Sequence, residues 1–390
     1  YAWGWNNWGQ IGNGCNGLNS HQLIPIKLKG FNNERVVMIS CGACHSMALT
    51  ECGHVYSWGS NYYGQLGIRK KVETINSPII IEIKKNNKIN HTFKKISCGH
   101  SHSLLLSEEG VIYAFGNNEC GQIGIGSEDG SYPKPKLNEY LNNEFVVDIS
   151  CGEDHSLVLT NCGEVYAWGH NYWGQIGNGC NRNQLIPIKV KGFNNEKVAM
   201  ISCGSFHSMA LTECGHVYSW GENEFGQLGI GNTFSQPILN QYLNNEFVVD
   251  ISCGVHHSLV LTNCGEVFAW GGNYYGQIGN GCNSDQLKPI KVKGFNNERV
   301  VMISCGYWHS MALTECGHVY SWGWSGSGQL GIENTVKSNE PKFVAVIDEN
   351  KSNVFVEKIS CGKYHSLLLS SDGNIYVFGR NKSGELGNQK

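Results

Sequence analysis

The chain has no surplus of positive charge. Lys and Arg number 29 against 32 Asp and Glu, giving a net charge of −3, and charged residues make up only 16% of the total. Nucleic acid and anionic membrane surfaces both require a basic face, so broad binding to either is not expected. No apolar run approaches the roughly 18 residues of a membrane span, and no signal peptide opens the chain. Sustained helical periodicity is missing as well, which directs the reading toward β structure. The first residue is Tyr1 rather than Met, so a fragment of a longer protein is expected.

What is abundant is glycine, 50 residues, about twice the usual share of ~7%. Seventeen cysteines are also present, yet their placement does not suit a secreted disulfide scaffold. Seven occupy one repeat position inside apolar stretches such as VVMISCG: Cys41, Cys98, Cys151, Cys203, Cys253, Cys305 and Cys361. Free cysteine behaves there as a small buried hydrophobe. Five more (Cys52, Cys162, Cys214, Cys264 and Cys316) sit in a T-E/N-C-G turn. The total is odd, so reduced thiols and a cytoplasmic, or cytoplasmic and nuclear, setting are expected.

Internal repetition decides the architecture. The element SCGxxHS recurs with its histidine at His45, His102, His155, His207, His257, His309 and His365, at spacings of 57, 53, 52, 50, 52 and 56 residues. Within one copy, short runs (IPIKVKG, VAMISCG, HSMALT, VYSW) alternate with Gly/Asn turns, the pattern of four short strands. A lone four-stranded sheet of this kind cannot bury its faces, but a ring of neighbours can. The expectation is an all-β, seven-bladed β-propeller with four antiparallel strands per blade, forming one domain over residues 1–390.

With IPIKVKG taken as the first strand of each blade, antiparallel order puts the GxxHS turn and the WGxNxxGQLG loop on one face. GFNNE and TECG share the other. The opening YAWGWNNWGQIGNGC matches residues 166–180, so the chain begins partway through a repeat. Eight fourth-strand motifs therefore serve seven third-strand motifs, and residues 1–4 and 375–379 compete for one outer slot.

The run GSFHSMALTECGHVYSWGENEFGQLG, Gly204 to Gly229, resembles the hallmark of the regulator-of-chromosome-condensation (RCC-type) repeat family. The likeness covers essentially the whole chain. Among family members it is most similar to the propeller of RCC-and-BTB-domain proteins or HERC-type ubiquitin ligases, although no BTB or HECT sequence is present. The Trp-Asp signature of WD propellers is missing, and the Gly-Gly doublet of Kelch repeats occurs only at Gly271-Gly272.

Three chemical readings of the repeat fail. Zinc needs four ligands, whereas each copy supplies one Cys-x3-His pair. A Cys–His nucleophile needs an orienting third group, and seven equivalent active sites in one ring would be very unusual. A phosphate loop needs a helix N-terminus behind it, and none follows GxNxxG. No metal, cofactor or enzymatic activity is expected. The seven histidines read as structural residues that tie blade to blade by hydrogen-bonding a backbone group of a neighbouring turn.

Function is then expected where the repeat departs from itself. The variable pair inside GxxHS includes Phe206, Tyr307, Trp308 and Tyr364, an aromatic arc beside an acidic spot at Glu153 and Asp154, and aromatic residues are typical interface anchors. The aromatics inside NxxG (Trp8, Tyr63, Trp173, Phe225, Tyr275) read as packing. Two long connections, 69–95 and 333–358, read as solvated loops; the first is locally basic and suits an acidic partner. Sequons at Asn90 and Asn381 are expected to stay unused. The leading reading is a non-enzymatic protein-interaction platform, the partner- or substrate-binding part of a ubiquitin-ligase adaptor or trafficking regulator. The family resemblance also implies guanine-nucleotide exchange on a Ran-type small GTPase, for which only 69–95 offers a wedge, and a Lys-rich one. The photoreceptor branch of the family has clustered Gly-Trp-Arg-His-Thr repeats that are missing here.

Overall fold

The computed structural model describes residues 2–4, 22–26, 31–68, 72–85, 88–89, 92–326, 328–332, 335–347, 352–371 and 375–379. Trp8, both sequon asparagines and the side chain of His365 lie outside the described residues.

Each repeat folds because short runs of β-branched and apolar residues are cut by turns that only glycine or asparagine accommodates. In the unit around His207, Val198–Cys203, His207–Thr212, Val217–Gly221 and Phe234–Leu239 form one antiparallel sheet in that order. Val198–Cys203 is innermost, beside the axis. Gly215 closes the turn between the second and third strands at φ 80°, a left-handed conformation that favours glycine. In GFNNE, Asn194 and Asn195 both take positive φ (51° and 64°), and the Glu196 N–H donates to the Phe193 carbonyl at 2.8 Å. That is a type I′ turn, for which asparagine is suited.

Six such four-stranded blades are present among the described residues, so the fold is an all-β, six-bladed β-propeller. This corrects the expected count of seven. The seventh repeat supplies only a three-stranded sheet, Val356–Cys361, His365–Ser370 and Ile375–Gly379. Ala2–Gly4 pairs with Gln22–Ile26 as a separate two-stranded sheet and lies against Ile375–Gly379. Ala2–Gly4 and Ile375–Gly379 carry the same third-strand motif. Among the described residues that sheet has no paired fourth strand.

The strand frame is corrected too. IPIK-type segments are the outer strands of the preceding blade: Gln184–Lys189 pairs with Val165–Gly169. The WGxNxxGQLG loop is therefore internal to a blade, and GFNNE makes the crossing to the next. The long connections contain outer strands rather than bare loops, Thr74–Ile80 and Lys337–Val344, and the first adds a small hairpin of Lys84–Lys85 with Lys88–Ile89.

Second strands are buried along their whole length, as in His207–Thr212, because each blade is covered on both faces by its neighbours. The core accordingly forms layers between units. Leu259, Leu261 and Val267 of one blade pack with Ile303, Ala312, Tyr320 and Trp322 of the next. Phe193, from the crossing turn, meets Tyr218 and Trp220 edge-on at 5.4 and 5.9 Å, and such aromatic contacts add to simple burial.

Candidate functional site

The conserved-looking chemistry of SCGxxHS is consumed at the joints between units. His207 Nε2 lies 3.0 Å from Ser258 Oγ in the next blade. The Ser258 hydroxyl donates its proton to the Gln227 carbonyl at 2.9 Å, so it accepts from His207, which is the neutral Nε2–H tautomer. The same carbonyl accepts the Trp270 indole N–H at 2.8 Å. Equivalent His–Ser contacts of 2.7–3.0 Å join His45 to Ser103, His102 to Ser156, His155 to Ser208, His257 to Ser310 and His309 to Ser366. The partner is a serine hydroxyl, not a backbone group.

Burial pushes His45, His102, His155, His207 and His257 down to about 3, with neighbouring histidines adding to the effect. These rings stay neutral, and their buried Nδ1 atoms have no hydrogen-bond partner. Burial that holds the pKa this far below the ordinary imidazole value makes the free Nδ1 lone pair a weak general base.

The cysteines serve the same joints. The Cys253 N–H donates to Ser202 Oγ at 3.1 Å and its thiol to the Ser202 carbonyl at 3.7 Å, and Cys98, Cys151, Cys203, Cys305 and Cys361 repeat the pattern. Burial pushes Cys151, Cys253 and Cys361 up to about 12, which removes them as nucleophiles. Among the described residues no group of three His, Cys, Asp or Glu is placed to hold a metal.

Variation is concentrated on the face carrying the GxxHS turns. Their first variable residues, including His100, Glu153, Tyr307 and Lys363, line the axial channel together with the repeated Cys-Gly pairs. The second variable residues stand one step outward. Tyr307, Trp308 and Tyr364 come together, with ring centroids 4.6–5.9 Å apart. Trp324 joins them at 5.3 Å from Trp308 and 5.6 Å from Tyr364, and Tyr275 at 5.1 Å from Trp308. Lys363 Nζ lies 4.4 Å from the Tyr307 centroid, a cation–π contact.

Phe206 is not part of this cluster; its ring neighbour is His170, at 5.9 Å. Asp154 is drawn into the fold by the Gln122 amide, which donates to Oδ1 at 2.8 Å, and burial pulls its carboxyl above the usual range. Burial first, then the Glu153 carboxylate and Tyr364, push the Tyr307 hydroxyl up to about 12.

Sequence reasoning missed Trp324 and passed over Tyr275 as packing. The signal for Trp324 was available: the position after WG reads Ser60, Asn117, His170, Glu222, Gly272 and Trp324 in successive units, a third variable site on the same face. The opposite face also holds an unread repeat. Glu34 accepts from Thr50 at 2.6 Å and pairs with His54 at 2.8 Å; Glu196 and Glu298 do the same with Thr212 and His216 and with Thr314 and His318. Although burial pulls Glu34 and Glu298 upward, these partners hold both carboxyls below their usual range.

Comparison with known proteins agrees with this geometry. An RCC1-like domain family matches residues 1–241, and the regulator of chromosome condensation (RCC1) repeat matches residues 264–313 and 316–369. The chain is 33% identical over 387 residues to the Arabidopsis thaliana ultraviolet-B receptor UVR8, covering 99% of this chain and 74% of that protein. It is 32% identical over 379 residues to the human E3 ubiquitin-protein ligase HERC2, covering 95% of this chain but only 8% of the ligase. The Saccharomyces cerevisiae Prp20p structure superposes with a TM-score of 0.79 at 22% identity, over 99% of this chain and 91% of that one; that likeness is one of fold.

Proposed function

The chain belongs to the regulator of chromosome condensation (RCC1) repeat family, and we propose that it acts as a non-enzymatic protein-interaction platform. One observation carries this reading. Tyr275, Tyr307, Trp308, Trp324 and Tyr364 gather on one sector of one face, while the residues that recur in every unit are spent on the joints. Trp308, Trp324 and Tyr364 are each partly exposed, and clustered aromatic side chains are typical anchors of protein interfaces. Since a family relative is a ubiquitin ligase many times longer than this chain, the platform reads as the partner- or substrate-binding part of a ubiquitin-ligase adaptor or trafficking regulator, with the cytoplasm as its proposed setting.

The test is capture of partners from lysate by this chain and by its Trp308→Ala/Tyr364→Ala variant, with melting temperature as the control for folding. Loss of specific partners from a folded variant supports the reading. Unchanged capture overturns it.

A second reading, guanine-nucleotide exchange on a Ran-type GTPase, is favoured by the Lys84–Lys85/Lys88–Ile89 hairpin. That hairpin follows an outer strand, on the connection toward the next inner strand, which places it on the face opposite the aromatic cluster. Capture repeated with magnesium and GTP and then with EDTA separates the two readings. An exchanger enriches a small GTPase in EDTA alone, independently of Trp308 and Tyr364.

A further inference from the structure

At the position after WG two successive units carry an acceptor for a neighbouring glutamine amide, and the next unit carries none. In three units the amide of the GQ(L/I)G glutamine is taken by an acceptor on this face. Gln122 Nε2 donates to Asp154 Oδ1 at 2.8 Å, Gln175 Nε2 pairs with His170 Nδ1 at 2.7 Å, and Gln227 Nε2 donates to Glu222 Oε2 at 2.8 Å. His170 and Glu222 both occupy the position after WG. In the fifth blade that position is Gly272.

Gln277, in the fifth blade, has no such acceptor beside its amide, a condition it shares with Gln65 of the first blade. Gln277 Oε1 accepts the Tyr275 N–H at 3.0 Å, which fixes the amide, yet its Nε2 has no partner among the described residues. The residue is 3% exposed and borders a cleft lined by the rings of Phe225, His256, Tyr275 and Trp308. Phe225 and His256 stand with ring centroids 4.5 Å apart, and Tyr275 and Trp308 5.1 Å apart. No lysine or arginine lines the cleft, and its carboxylate is Asp285.

An unpaired amide donor on the wall of a cleft favours an acceptor, and aromatic walls favour a flat ring. Asp285, with Glu222 behind His256 at 3.3 Å, disfavours an anion. A neutral imidazole meets all three conditions, and the protein demonstrates the fit: His170 supplies such a ring to Gln175 two units earlier. We propose that the Gly272 cleft receives a histidine side chain from an extended segment of a partner protein, its unprotonated ring nitrogen accepting from Gln277 Nε2. This rests on the platform reading and supplies the chemistry of its partner.

The probes are Gly/Ser nonapeptides with one central residue, histidine, 2-thienylalanine (a ring of the same size without the acceptor) or glutamine. They are titrated into the full chain at pH 8, where imidazole is neutral, and binding is followed by saturation-transfer NMR and Trp fluorescence. The histidine peptide is expected to bind about tenfold more tightly than the thienylalanine one, the worth of one well-made hydrogen bond. Gly272→His, which places in the cleft the residue another unit carries there, is expected to abolish that preference; its Cβ would come within 3.3 Å of His256, so a melting curve is recorded to show that the variant is folded. Equal binding of histidine and thienylalanine, tighter binding of glutamine, or an unchanged preference in Gly272→His overturns the assignment. Histidine binding that survives while Trp308→Ala/Tyr364→Ala leaves partner capture intact overturns the platform reading instead, so the two failures are distinct.

Discussion

His207 of one blade holds Ser258 of the next, Nε2 to Oγ at 3.0 Å, with the serine proton passed on to the Gln227 carbonyl. This relationship and its copies account for the repeated histidines of SCGxxHS among the described residues. The joint needs a ring long enough to cross between sheets, a hydroxyl that both accepts and donates, and a carbonyl to end the chain of hydrogen bonds.

Removing the ring opens the joint. His207→Ala leaves a cavity and a buried hydroxyl with one partner fewer, a loss of about 3 kcal/mol, read by urea unfolding. Binding contacts on the aromatic face should be unaffected. Loss of an activity at unchanged stability would show that the histidine is a site and not a strut.

Acid should unlock the ring. Five of these histidines are held near 3 when folded, against about 6.5 when unfolded. The unfolded chain binds more protons between those values, so the stability they confer is full above pH 6.5 and falls as pH drops toward 3. At pH 5 each site costs on the order of 2 kcal/mol, and several together rival the 5–15 kcal/mol stability of a domain. Unfolding near pH 5, before most carboxylates titrate, is the expected result of a circular-dichroism pH series. Stability that is flat from pH 7 to 5 would contradict burial of neutral rings.

Two glycines separate steric need from conformational need. A Cβ on Gly204 would lie 2.2 Å from His207 Cε1 and 2.5 Å from the Gly254 carbonyl oxygen. Gly231 has φ +97° with nothing within 4 Å. Gly204→Ala is therefore expected to cost 3 kcal/mol or more, roughly the upper range for overpacking, and Gly231→Ala about 1 kcal/mol of backbone strain. Thermal melts of the two variants give the order directly.

Thiol reactivity should divide by position. Cys52, Cys162, Cys214, Cys264 and Cys316 are exposed in their turns, while Cys98, Cys253 and Cys305 are buried and raised by burial. Native iodoacetamide labelling followed by peptide mass spectrometry should modify the first group and spare the second until the chain is unfolded.

Much of this was legible in the residues. A period near 50 with HSMALT, VYSW and Gly-rich turns announces four short strands per unit, and the single Cys-x3-His pair per copy argues against metal and nucleophilic chemistry. The serine that receives each histidine was not legible, because it lies more than 50 residues away in the next unit and is adjacent only once the sheets are stacked. The aromatic cluster was half legible: Tyr307, Trp308 and Tyr364 stand out as departures from the repeat. Phe206 does so equally, yet its own neighbour is His170.

The amino-acid sequence by itself determined the repeat, its strands and its turns, since these follow from local pattern and from the φ values that Gly and Asn admit. Tertiary structure alone decided that IPIK-type strands close the preceding blade and that six blades are complete. It also decided that the last three-stranded sheet lies against Ala2–Gly4. Strand membership depends on which edge offers unpaired backbone groups when the sheets assemble, and no stretch of sequence carries that information on its own.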